Sequence, residues 1–95
     1  MVNNEEDTVV TKIMLDALKP REVDLIELAS ALCSLKGVES VEVVVTEVDA
    51  KTETVKITIN GKDLDIDDIN EEMNTYSSVV RSIDAVTVTK KEIAS

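Results

Sequence analysis

Thr54-Val-Lys-Ile-Thr-Ile-Asn60 decides how this chain folds. Val55, Ile57 and Ile59 alternate with Thr54, Lys56 and Thr58, the period of a strand with one face in a core and the other outside it. Upstream, Val38-Glu-Ser-Val-Glu-Val-Val-Val-Thr-Glu-Val-Asp49 carries the same alternation through Val41, Val43 and Val45, with a slip of phase near Glu47. Only the polar link Ala50-Lys-Thr-Glu53 separates the two stretches, which predicts an antiparallel hairpin.

Outward from the hairpin the period changes on both sides. Before it, Leu25, Leu28, Ala29, Leu32 and Leu35 recur at steps of three and four, predicting a helix over Glu22–Leu35. Acids crowd its first turn, and Lys36 and Gly37 follow it, suiting the helix dipole and a left-handed cap. Cys33 sits beside the apolar stripe and reads as a small buried or half-buried hydrophobe. After the hairpin, Gly61 and Lys62 end the strand and Asp65 stands as a candidate N-cap. Ile66, Ile69, Met73 and Tyr76 then form the stripe of a second helix over Ile66–Tyr76.

The outermost segments are strands again. Thr8–Lys19 is rich in β-branched and apolar residues and is closed by Pro20, and Val79–Thr89 supplies the last strand. The order is β-α-β-β-α-β. Two right-handed crossovers interleaved through a central hairpin give a four-stranded antiparallel sheet, ordered 4-1-3-2, with both helices on one face: an α+β, ferredoxin-like fold. Residues 8–91 form this domain, 1–7 read as a disordered acidic N-terminus, and 92–95 as a tail.

In that architecture one sheet face is bare. Alternation along the first strand puts Thr11, Ile13, Leu15 and Ala17 on the helix side and Val10, Lys12, Met14, Asp16 and Leu18 on the open side. Val10, Met14 and Leu18 would then show water an apolar strip, which predicts self-association through that face.

Composition sets the remaining bounds. The chain has 95 residues, 43% of them hydrophobic, with one Tyr and neither Trp nor Phe, so one core built from aliphatic side chains is expected. Twenty acids against ten bases give a net charge of -10. A chain so acidic and so poor in aromatic rings lacks what phosphate and base recognition require, so nucleic acid is not an expected partner. No apolar run approaches a membrane span, and the first residues are acidic where an export signal is basic and then apolar, so a cytoplasmic protein is expected. One Cys and no His exclude an internal disulfide and leave no zinc or copper ligand set. With two glycines there is no phosphate loop, and without His there is no nucleophile–imidazole pair, so no enzyme is expected. Asp63, Asp65 and Asp67 match the opening of an EF-hand loop, but Asp68 replaces its turn glycine and Asn74 its closing glutamate.

Several short stretches together carry a family likeness. They are Leu15-Asp-Ala-Leu-Lys-Pro20, Leu35-Lys-Gly-Val-Glu39, Glu47-Val-Asp49 with Thr52-Glu53, Val55-Lys-Ile-Thr-Ile59 with Gly61, Asp63-Leu-Asp65, and Ser82-Ile-Asp84 with Lys90-Lys91. In order and spacing they resemble the archaeal domain-of-unknown-function family 211 over nearly the whole domain. The resemblance implies a ferredoxin-like fold, an archaeal cytosolic source and a ring-like homo-oligomer, and no established activity. This chain departs from the family pattern at Arg81, where a His is usual, and at Ala85, where an acid is usual.

The acids that come with the resemblance are Asp16, Glu47, Asp49, Glu53, Asp63, Asp65 and Asp84. Asp16 lies within an apolar strand on the open face, and oxygen ligands suit Ca²⁺ or Mg²⁺, so Asp16, Glu47, Asp49 and Glu53 are the candidate metal ligands. The competing reading pairs Asp16 with Lys56 or Lys12, leaves Asp49 and Glu53 as hairpin decoration, and makes Asp65 a helix cap. Two functions follow: a non-enzymatic homo-oligomeric binding or regulatory module with a hard cation or small ligand at its subunit interfaces, or a purely structural, protein-interaction subunit with no ligand.

Overall fold

The computed structural model describes residues 7–91, so the first six residues of the expected N-terminal arm, and the tail 92–95, lie outside the described residues. The elements follow in the expected order: β1 (Thr8–Pro20), α1 (Leu25–Cys33), β2 (Val38–Val48), β3 (Thr52–Gly61), α2 (Ile66–Thr75) and β4 (Val79–Lys90). The sheet is antiparallel throughout, ordered β2-β3-β1-β4, and the chain has the ferredoxin-like α+β fold.

One core lies between sheet and helices. Ile13, Leu15 and Ala17 of β1 and Val55, Ile57 and Ile59 of β3 meet Leu28 and Leu32 of α1 and Ile69 and Met73 of α2, with Leu64 closing one end. The alternation read in β3 is thus the boundary between this core and the open face.

Local chemistry sets the element ends. Asp24 accepts a hydrogen bond from the Glu27 N–H at 3.0 Å, so α1 starts at Leu25 rather than at Glu22. It stops at Cys33, which is exposed rather than buried, being a step around the helix from the Leu28–Leu32 stripe. Gly37 has φ +85, and a Cβ there would collide with the Lys62 carbonyl, while its own carbonyl accepts the Lys62 N–H at 2.8 Å. Asp65 caps α2 by accepting from the Asp67 N–H at 2.8 Å and the Asp68 N–H at 3.4 Å. The slip near Glu47 is a register shift between Val45 and Glu47 that leaves Thr46 unpaired, its hydroxyl on the Thr54 carbonyl at 3.2 Å.

Bulges change one expectation about β1. Against β4, the pairing jumps from Val10–Val88 to Lys12–Thr87 and leaves Thr11 as the extra residue. That extra residue reverses the alternation, so Val10 packs with the core side and only Met14 and Leu18 of the expected trio lie on the open face. Two further shifts leave Asp84 and Arg81 as extra residues on β4.

Candidate functional site

The open face is ordered by register. One row crosses it as Val44 (β2), Lys56 (β3), Asp16 (β1) and Ser82 (β4), and the adjoining row as Glu42, Thr58, Met14 and Ala85. The β4 bulge inserts Asp84 between Ile83 and Ala85, beside these two rows. Its carboxylate accepts from the Ser82 hydroxyl at 2.8 Å and lies 3.6 Å from the Lys56 ammonium, which reaches it across β1. Lys56 therefore pairs with Asp84, not with Asp16, to which the competing reading assigned it or Lys12. The pair is well exposed, and such pairs contribute about 0–1 kcal/mol, so it organises the middle of the face more than it stabilises the fold.

The four candidate ligands are divided. Asp16 is half-buried on the open face, and Glu47 stands opposite Thr54 at the end of that face. Asp49 lies in the β2–β3 turn, its N–H bonded to the Thr52 carbonyl at 2.8 Å. Glu53 points to the helix side, where its carboxylate sits 2.8 Å from the Lys19 ammonium. Among the described residues, no three His, Cys, Asp or Glu side chains are grouped to hold a metal.

Lys19 is the residue that the sequence reading passed over. Its side chain is 1% exposed, at the edge of the core. An ammonium has three donors, and all three are used: on Glu53, on the Pro20 carbonyl at 2.9 Å and on the Val23 carbonyl at 2.6 Å. The contact ties β1 to the start of the first crossover and to β3. The parity that buries Ile13, Leu15 and Ala17 continues to position 19, so the signal was present but carried by a residue type that usually stays in water.

A second feature lies on β4, an edge strand exposed at nearly every position. Val79, Ile83, Val86 and Val88 keep about half of their surface in water. Ile83 and Val86 line a shallow apolar groove of about 280 Å³ with Val10, Ile13, Leu64 and Ile66.

The likeness read from Leu15-Asp-Ala-Leu-Lys-Pro20 and its companions is borne out by comparison. A family model described as "Uncharacterized ArCR" (DUF211, family 211 of domains of unknown function) matches residues 11–95. The chain belongs to this family. Among its relatives is the "Uncharacterized protein MJ0319" of Methanocaldococcus jannaschii, 40% identical over 84 residues that make up 88% of this chain and 87% of that protein. The family 211 match runs from Thr11 within β1 through the other three strands and both helices, and so includes the Lys19–Glu53 contact and the Lys56–Asp84 pair. None of the helices among the described residues is long and apolar enough to cross a membrane.

Proposed function

We propose that this family 211 chain is a non-enzymatic, intracellular binding or regulatory module that works as a homo-oligomer, with a hard divalent cation, Ca²⁺ or Mg²⁺, or a small ligand held where subunits meet. The observation that carries the reading is the sheet's unfinished outside. Met14, Val44 and Val79 stand exposed around a polar centre of Asp16, Lys56, Ser82 and Asp84, while the helices cover only the other face. Such a surface gains by being covered, and Asp16 is the acid best placed to meet a ligand there.

A second reading is favoured by a different observation. Glu53 is taken by Lys19 and Asp84 by Lys56, and Asp49 belongs to a turn, so the acids already have structural work. On that reading the chain is a structural or protein-interaction subunit that needs no ligand.

Thermal unfolding in excess EDTA and then in millimolar Ca²⁺ or Mg²⁺ separates the two. Binding at a hundredfold the dissociation constant adds about 2.7 kcal/mol, so the module raises its melting point in the cation and loses the response in Asp16→Asn. Identical curves in EDTA and in both cations support the ligand-free subunit.

A further inference from the structure

The inference rests on the homo-oligomer reading and names the surfaces that meet. We infer that the β4 edge of one copy docks on the β2 edge of the next, continuing the antiparallel sheet head to tail from copy to copy.

Topology permits this join without turning a copy over. The four strands alternate in direction, so β2 and β4, at opposite edges, run opposite ways. A neighbour placed in the same orientation therefore presents β2 antiparallel to β4, and keeps its helices on the same side of the sheet. The two edges are also matched in length, with 11 residues in β2 and 12 in β4. On β4, Ala85–Lys90 runs without an extra residue of its own, since the bulge in that part of the ladder lies in β1. That leaves a regular backbone edge for a new partner, with Val86 and Val88 exposed along it.

Charge decides between this join and the two symmetric ones. β2 carries Glu39, Glu42 and Glu47 and no base, all three exposed. The β4 edge carries Arg81 and Lys90, with Lys91 following, and its one acid, Asp84, is already paired with Lys56. On a chain with a net charge of -10, this strand and its end are locally basic. Joining β4 to β4 would set bases against bases, and joining β2 to β2 would set acids against acids. Joining β4 to β2 sets opposite charges together, at both ends of the strands. Arg81 lies beside the row of Ala17 and Glu47 in the row of Leu18, at one end of the sheet, while Lys90 and Glu39 lie towards the other. Opposite charges on two edges of one molecule give orientation and register to a contact whose backbone hydrogen bonds alone would not select a partner.

Two full-length variants test this by light scattering at about 0.1 M salt, where adjacent charges still act. One reverses the β4 charges (Arg81→Glu, Lys90→Glu, Lys91→Glu), the other the β2 charges (Glu39→Lys, Glu42→Lys, Glu47→Lys). All six side chains are exposed, and unchanged circular dichroism verifies that both variants fold. The expected result is that the wild type has a multiple of the 10.4 kDa chain mass, each variant alone falls to 10.4 kDa, and an equimolar mixture recovers the wild-type mass. Loss of mass in one variant alone shows that the two edges do not meet each other and overturns the inference, as does a mixture that fails to recover. Wild-type mass in both variants places association elsewhere, overturning the inference while leaving the oligomer reading intact. A monomeric wild type overturns both.

Discussion

Glu53→Ala is the substitution that should cost this fold most for its size. Among the described residues it removes the only carboxylate within reach of the Lys19 ammonium, whose side chain is 1% exposed, and leaves that charge on two carbonyls. Removing one partner of a buried ion pair costs about 3–5 kcal/mol. Glu53 itself is 20% exposed and the carbonyls remain, so the lower end applies, about 3 kcal/mol. In a domain this small each kcal/mol shifts the melting point by about 4–8 °C, giving a loss of about 12–24 °C. Lys19→Met is the control. It removes the buried charge, keeps much of the packing and lets Glu53 turn to water, so about 1–2 kcal/mol is expected from the lost carbonyl contacts. Urea unfolding of the three proteins gives both differences. The reasoning is refuted if Glu53→Ala lies within about 1 kcal/mol of the wild type, or if Lys19→Met is the costlier of the two.

The remaining predictions concern single sites. Gly37→Ala combines a positive φ with a Cβ placed against the Lys62 carbonyl, so a loss above about 1 kcal/mol is expected in the same unfolding assay. Asp65→Ala removes the acceptor for two N–H groups at the start of α2 and should cost about 1 kcal/mol, most of it recovered by Asp65→Ser. Lys56→Ala breaks a pair that is open to solvent and should change stability by less than about 1 kcal/mol, the contrast with Glu53→Ala measuring what burial adds.

The fold was legible because its two periods are clean. Val55, Ile57 and Ile59 alternate without interruption, and Leu25, Leu28 and Leu32 keep a helical spacing through the first crossover. Those patterns record which side chains leave water, and that decides the architecture. Asp65 was legible as a cap, and Glu47 as a break of phase. The errors arose where one residue alters pairing without altering composition. Thr11 looks like any β-branched strand residue, yet as the extra residue against β4 it turns Val10 into the core side and shortens the open apolar strip to Met14 and Leu18. Arg81 and Asp84 do the same on β4, and the second of these bulges brings the Asp84 carboxylate to Lys56. The acids were readable as acids but not as neighbours. Glu53 and Asp16 lie near each other along the ladder on opposite faces, a difference of parity that only the register settles. The resemblance to family 211 identified the chain, and the residues it marked are distributed over both faces of the sheet.

The most direct test of the account is the mass of the wild-type protein by light scattering across a range of concentrations. An assembly of several 10.4 kDa chains that persists on dilution is expected, because the partly apolar β4 edge is covered in it. A single 10.4 kDa species at every concentration would contradict it, since Val86 and Val88 on the β4 edge would then be at rest in water.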